Sequence, residues 1–354
     1  MEKLLEIAGR FRLAAPPADV RPLGEGGFIN DTYKVTLAGE GAPSYLLQRK
    51  NGNVFPDIPA IMENTRKVTD HLRRKVAEAG GDPAREVLTP VAVDGDAGRL
   101  WTLDDEGAYW TMCLFIDGSV TLQSVDSAKV AEAGGRGIGR FHRMLADFRE
   151  PLAPSIPGFH NLRLRFSQWD AAVKADCAGR VGQLAEEIGW IESRRAEIMA
   201  FQEMAERGVF PLRATHNDTK ISNFLFNEDL SPLCVIDLDT LMTAPVFNDF
   251  GDAIRSYTNT GAEDDRDLSR VSFSREYYEA YTRGFLEECG DVLTPMELKW
   301  LPFAGRFITF EQVLRFLMDY IDGDRYYKIA YPDHNLVRTR AQFRLLTSME
   351  ESGI

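Results

Sequence analysis

The chain is predicted to fold as an α+β protein, with a small β-rich N-terminal lobe and a larger, mainly helical C-terminal lobe. Two patterns predict this. Residues 20–116 read as short alternating stretches around a single helix, and from Asp117 onward the apolar residues recur at helical spacing. A third observation is a polar octapeptide, His216 to Asn223, that interrupts the helical part and is followed by a short hairpin. The division falls near Asp117–Ser119, giving an N-terminal lobe at 1–116 and a C-terminal lobe at 117–354.

In the first lobe, Val20 to Leu23 is an extended stretch that leads into Gly24-Glu25-Gly26-Gly27, and Tyr33, Val35 and Leu37 then alternate as in a strand. Tyr45 to Lys50 is the third strand. A helix follows, capped by Asp57, with Pro59 in its first turn and Gly80-Gly81 at its end; Ile61, Val68, Leu72 and Val76 form its apolar stripe. Leu88–Val93, Arg99–Leu103 and Ala108–Ile116 complete the strands, the last two joined across Asp104-Asp105-Glu106-Gly107.

In the second lobe, Val130 to Phe148 carries Ile138, Phe141, His142 and Leu145 on one face. Further helices are predicted near 163–177, 181–207, 272–288, 295–320 and 335–349. Phe224–Phe226 and Leu233–Ile236 form the hairpin, while Glu263 to Asp267 reads as a solvated loop. Gly134-Gly135-Arg136-Gly137-Ile138-Gly139 mimics a dinucleotide fingerprint. It follows no strand, however, and small residues that let two helices approach explain it better.

The 354 residues carry 44% hydrophobic and 27% charged side chains, an ordinary globular balance, and a net charge of −13 that opposes binding to nucleic acid. No apolar run approaches the roughly 20 residues of a membrane span. Cys113, Cys177, Cys234 and Cys289 are scattered with no C-x-x-C pair, and Met1–Leu5 opens no apolar leader. A cytoplasmic protein with reduced thiols is expected, as a monomer or homodimer, with no nucleic-acid or membrane partner.

The chemistry resides in the octapeptide HNDTKISN. Asn223 follows Asp218 by five positions, and Asp237, in Ile236-Asp237-Leu238-Asp239, follows Asn223 by fourteen. This order is that of a phosphoryl-transfer site, in which an Asp orients the acceptor hydroxyl and a later Asn and Asp hold Mg²⁺. Asp218 is the expected catalytic residue. Asn223 and Asp237 supply hard oxygen ligands, and Lys220 can offset charge on the transferring γ-phosphoryl group. Asp239 either lies near the metal or acceptor or binds a nearby backbone amide. His216 is expected to hydrogen-bond backbone, and Asp249 to tie the loop down or cap a helix.

Upstream, Leu23 to Val35 suits a glycine-rich hairpin over ATP phosphates, with Gly24, Gly26 and Gly27 allowing close backbone approach. On the third strand Arg49 is the expected phosphate-gripping cation, with Glu63 as its partner. The register leaves Gln48 and Lys50 as alternatives, and Glu63 can instead pair with Lys67. At the other end, Glu311, Arg315 and Asp319 at i, i+4, i+8 would form a ridge able to bind a polyhydroxy acceptor beside Tyr320, Tyr326 or Tyr327; a solvated ion-pair row is the alternative.

Together these residues resemble the aminoglycoside phosphotransferase/choline kinase superfamily, over about Leu23 to Leu346. The narrower resemblance is to bacterial N-acetylhexosamine 1-kinases. It is carried by Tyr45-Leu46-Leu47-Gln48-Arg49, Asn53-Val54-Phe55-Pro56, CVIDLDT (Cys234 to Thr240), RFLMDYIDGDRYYK (Arg315 to Lys328) and Asn335-Leu336-Val337-Arg338. The resemblance implies a bilobal protein-kinase-like fold, with ATP- and Mg²⁺-dependent phosphorylation of the anomeric hydroxyl of a sugar acceptor, GlcNAc or GalNAc. It implies Asp218 as catalytic Asp, Asn223 and Asp237 as metal ligands and Arg315 as a sugar contact. It also implies an adenine hinge from Met112 through Leu114 to Phe115. Many members of the wider superfamily have His where Lys220 stands. A kinase of another small alcohol (choline, homoserine or an aminoglycoside) and a non-catalytic nucleotide-binding scaffold are the competing functions.

Overall fold

The computed structural model describes residues 2–23 and 29–354. The elements run α1 (Glu2–Gly9), β1 (Pro17–Pro22), β2 (Asp31–Leu37), β3 (Tyr45–Arg49), α2 (Ile58–Glu78), α3 (Pro83–Glu86), β4 (Trp101–Leu103), β5 (Tyr109–Leu114) and β6 (Ser119–Thr121). There follow α4 (Ala128–Met144), α5 (Leu162–Ala175), α6 (Ala185–Glu206), β7 (Leu212–Thr215), β8 (Phe224–Asn227), β9 (Pro232–Val235) and β10 (Met242–Pro245). Four helices close the chain: α7 (Phe247–Tyr257), α8 (Arg275–Cys289), α9 (Pro295–Ile321) and α10 (His334–Glu351).

The chain divides into two compact units. The first comprises Met1–Thr121, Met144–Pro157 and Leu225–Thr243, and the second Leu122–Arg143, Gly158–Phe224 and Ala244–Ile354. The first unit is built on an antiparallel sheet of order β1-β2-β3-β5-β4. Strand alternation turns Val35, Leu37, Tyr45, Leu47, Trp110 and Met112 to one face, where Ile7 and Ala8 of α1 and Phe11 cover them. Helix α2 starts as its sequence requires: the Asp57 carboxylate accepts from Ala60 N–H at 3.0 Å, and Pro59 stands in the first turn. Its Ile58, Ile61 and Met62 pack with Phe55 and Leu100. A second sheet, β6-β8-β9, closes over Ile116, Leu225, Leu233 and Cys234.

The stretch expected as a strand over 88–93 is not one. It makes only isolated bridges, at Pro90 to Cys113 and at Val93 to Phe11 and Asp96.

The second unit is organised around α9. Thr294 and Glu297 form a reciprocal capping box at its start, and nearly every residue from Phe307 to Ile321 is buried. α10, α7 and α5 pack around it. The glycine run lies inside α4, as expected for close helix contact. A β-carbon at Gly139 would come within 2.6 Å of the Phe285 carbonyl oxygen of α8, and one at Gly135 would strike the carbonyl of Tyr281. Among the described residues no helix is long and apolar enough to cross a membrane. Cys113, Cys234 and Cys289 are buried free thiols, and Cys177 is exposed.

Candidate active site

The octapeptide leaves β7 through a turn in which Asn217 takes a left-handed conformation, φ 66°. Asn and Asp tolerate this region better than most residues. Every polar group of Asn217 is held. Its N–H donates to Asp249 at 2.6 Å, its amide nitrogen to Thr215, and its side-chain oxygen accepts from Asn248 at 3.0 Å. Its carbonyl accepts from His160 Nε2 at 3.0 Å. Asp249 also accepts the His216 N–H at 2.8 Å, so it ties the loop down as the sequence suggests. His216 Nδ1 in turn accepts the Asp218 N–H at 3.2 Å, the backbone role expected of it.

The result is a fixed presentation of Asp218. Lys220 Nζ donates to Asp218 Oδ2 at 2.9 Å, and the Asn223 amide donates to the same oxygen at 2.8 Å and to the Asp218 carbonyl at 2.9 Å. Burial acts to raise the Asp218 carboxyl, but the ammonium of Lys220 beside it holds the group below the ordinary carboxylate value. Asp218, Lys220 and Asn223 are therefore brought together. With the Asn223 nitrogen turned to Asp218, its side-chain oxygen makes no hydrogen bond among the described residues and is the atom a hard cation would use.

Helix α7 underlies this loop. Asp249 and Ser256 of one face bind it, Ser256 Oγ accepting the Ile221 N–H at 3.1 Å. Asp252 lies between them at helical spacing. Its Oδ1 accepts from Arg255 at 2.8 and 3.1 Å, while its buried Oδ2 has no partner among the described residues. Burial, reinforced by the charge of Asp218, outweighs Arg255 and pushes the Asp252 carboxyl up. No sequence motif marks Asp252.

Also in the second unit, Arg315 of α9 lies near three aromatic rings, 5.4 Å from Phe159, 5.7 Å from Tyr326 and 5.5 Å from Tyr327. Glu311 and Asp319 share its face, but neither is solvated. Glu311 pairs with His160 and Arg165. Asp319 accepts three backbone N–H groups, from Arg325, Tyr326 and Tyr327 at 2.8, 2.8 and 3.0 Å, and the Asn335 amide at 2.8 Å. Asp319 thus shapes the loop that carries the two tyrosines.

In the first unit, Asp237 stands between β9 and a 3₁₀ turn, Leu238–Thr240, in a left-handed conformation with φ 59° and ψ 58°. That conformation costs a typical residue on the order of 1 kcal/mol. Such positions concentrate where a side chain must be aimed. Two residues on, Asp239 is buried. Both its oxygens lie 2.7 Å from Lys50 Nζ, and Oδ2 accepts from the Asn30 amide at 2.7 Å. Lys50 is itself buried and donates to Gln48 at 2.9 Å.

Several expectations change here. Arg49 shares the face of Tyr45 and Leu47 and is half-exposed at the end of β3, 4.0 Å from Asp31 and 3.8 Å from Glu106, whereas Lys50 follows the parity of Gln48, to which it donates. Glu63 is not its partner; it pairs with Arg66 at 2.5 Å and Lys67 at 4.0 Å, the simple helix pairing. Asp239, expected near the metal or acceptor or on a backbone amide, has its carboxylate bound to the side chains of Lys50 and Asn30. The backbone groups expected to meet adenine are engaged by neighbouring backbone. Met112 carbonyl accepts from Val91 N–H at 2.8 Å, and Leu114 N–H donates to Thr89 at 2.9 Å. Phe115 N–H donates to Ser44 at 2.9 Å. Gly24, Gly26 and Gly27 lie outside the described residues. Among the described residues no group of three or more His, Cys, Asp or Glu is gathered for a metal. A Mg²⁺ held by one or two protein oxygens and by phosphates requires none.

A β-rich sheet unit and a helical unit, with Asp218, Lys220 and Asn223 clustered on a rigid loop, define a phosphotransferase of the protein-kinase-like α+β class. The chain belongs to the phosphotransferase enzyme family (APH), whose profile matches residues 19–288. It is similar in structure to the microcompartment-associated aminopropanol kinase, at 17% identity and TM-score 0.64 over 98% of this chain and 94% of that one. It is also similar to the spectinomycin phosphotransferase APH(9)-Ia solved with ADP and spectinomycin, at 12% identity and TM-score 0.59 over 99% and 97%. The choline kinase LicA from Streptococcus pneumoniae matches at 12% identity and TM-score 0.54 over 94% of each chain. At these identities the likeness establishes the fold; the family match makes the chain a small-molecule phosphotransferase of the aminoglycoside phosphotransferase/choline kinase type.

Proposed function

We propose that the protein is an ATP- and Mg²⁺-dependent kinase that phosphorylates the anomeric hydroxyl of an N-acetylhexosamine, giving the sugar 1-phosphate and ADP. The observation that carries the choice of acceptor is the setting of Arg315. A cation faced by Phe159, Tyr326 and Tyr327, with Glu311 already paired to His160 and Arg165, suits an uncharged polyhydroxy ring and opposes a cationic amine. The motif resemblance to N-acetylhexosamine 1-kinases supports the same reading.

In this mechanism Asp218 aligns the acceptor hydroxyl and receives its proton late, as the new O–P bond forms and the bond to the β-phosphate oxygen breaks. Lys220 offsets charge on the transferring group. Asn223, through its side-chain oxygen, and Asp237 are the residues that would hold Mg²⁺, which neutralises phosphate charge. Lys50, buried and oriented by Asp239 and Gln48, replaces Arg49 as the proposed phosphate-gripping cation.

Steady-state ADP release with Mg–ATP and a panel of acceptors tests the proposal. GlcNAc or GalNAc should be turned over, with choline, ethanolamine and 1-amino-2-propanol at least about 100-fold poorer in kcat/KM, a difference on the order of 3 kcal/mol. Turnover of an amino alcohol with none on either sugar refutes the acceptor assignment.

A further inference from the structure

His160 belongs to no motif, yet it joins two parts of the second unit. It lies just before α5 with φ 54°, a left-handed conformation, and is 8% exposed. Its Nε2 meets the Asn217 carbonyl at 3.0 Å, and its Nδ1 meets Glu311 Oε2 at 2.5 Å. A carbonyl oxygen only accepts, so Nε2 carries a proton. Glu311 also receives Arg165 at 3.3 Å on its other oxygen, which favours the carboxylate, so Nδ1 carries a proton as well.

We propose that His160 is a positioning residue: an imidazolium strap that pins the Asn217 carbonyl, and with it the Asp218 that follows, to helix α9. Asn217 already has its N–H and both side-chain groups held by Asp249, Thr215 and Asn248, and the strap closes the last degree of freedom before Asp218. At its other end Glu311 stands one helical turn before Arg315, so the acid that orients the hydroxyl and the proposed acceptor contact share one rigid frame. The charges acting on the imidazole are Glu311 from α9 and Asp252 from α7, while Arg165 of α5 and Arg315 of α9 act on Glu311. Burial alone would lower His160, but Glu311 outweighs it and the net direction is upward.

The kinetic part of the test rests on the kinase reading; the spectroscopic part does not. Long-range ¹H–¹⁵N NMR of the wild-type protein should show one histidine whose two ring nitrogens stay protonated to a higher pH than the ordinary histidine value of about 6.5. That signal should be lost in His160→Asn, whose Asn tolerates the left-handed backbone. In Glu311→Gln it should titrate at least one pH unit lower. A wild-type His160 that is already a neutral tautomer at about pH 6.5 or below overturns the proposal.

Turnover is read both as GlcNAc phosphorylation and as acceptor-free Mg–ATP hydrolysis, so that a wrong sugar is not confused with a wrong strap. His160→Asn should lower kcat by about 100-fold with KM for ATP within about twofold. Glu311→Gln should bring the alkaline limb of kcat down by at least one pH unit. Unchanged kcat in a folded His160→Asn, or an unmoved alkaline limb in Glu311→Gln, refutes the positioning role.

Discussion

Lys50 and Asp239, 189 residues apart in sequence, form a buried ion pair in which the ammonium lies 2.7 Å from both carboxylate oxygens. Removing one partner leaves the other as an uncompensated buried charge. Asp239→Ala should therefore destabilise the protein by about 3–5 kcal/mol, read as a drop in the urea midpoint. A replacement of both residues by apolar ones should recover much of that loss.

The same pair distinguishes two cations that are neighbours in sequence. Lys50→Met should lower kcat/KM for ATP by about 100-fold or more if Lys50 grips phosphate. Arg49→Met, at a half-exposed site with only long contacts to Asp31 and Glu106, should stay within about threefold. Initial rates across an ATP series decide between them; the reverse ranking would return the role to Arg49.

Much of this was legible in the residues themselves. Asp57, Pro59 and Gly80 bounded α2 because caps and helix breakers act locally. The Asp218–Asn223 spacing was readable for the same reason, since the loop geometry is closed by its own side chains. Lys50 was harder. It lies one residue past the end of β3, where alternation no longer says which of two adjacent cations turns inward, and its partner is distant in the chain. Helix α7 was not among the predicted helices, although Asp249 was expected to tie the loop down or cap a helix; it is rich in weak helix formers, and its Asp249 is held by the backbone N–H groups of His216 and Asn217. His160 gave no signal, because both of its partners are supplied by tertiary structure.

The acid stability of the protein should carry the signature of Glu311. Burial raises this carboxyl, but His160 and Arg165 outweigh it and hold it at about 2, below the ordinary 4.5. A folded value below the unfolded one means that the unfolded chain takes up the proton first as pH falls. The stabilisation is complete above 4.5 and lost progressively towards 2. His160, shifted upward from 6.5, works in the opposite sense: its contribution is complete below 6.5 and declines as pH rises through its folded value. Thermal melts from pH 3 to 8 should show Glu311→Gln less stable than wild type near pH 6, with the gap closing as pH falls below 4.5. A gap that does not close contradicts the pairing.

Helix α4 admits no added methyl group at its contact with α8. Gly139→Ala would press a β-carbon on the Phe285 carbonyl and should cost about 1–3 kcal/mol, despite the better helix propensity of alanine. Chemical denaturation measures the change; a stabilised variant would mean that the two helices are not in the close contact described.

Asp218→Asn keeps the size of the side chain and can still bond Asn223, but loses the charge that aligns and deprotonates the acceptor. Turnover should fall by at least about 100-fold while the affinity for Mg–ATP, measured calorimetrically, changes by less than about threefold. A loss of nucleotide affinity equal to the loss of rate would assign Asp218 to nucleotide binding instead.

The most direct test of the central claim is the ¹H and ³¹P NMR spectrum of the product formed from GlcNAc, ATP and Mg²⁺. Phosphoryl transfer to the anomeric hydroxyl predicts an anomeric proton split by phosphorus, absent from the Asp218→Asn reaction. Phosphorus coupling at any other sugar proton, or no phosphorylated sugar at all, would contradict it.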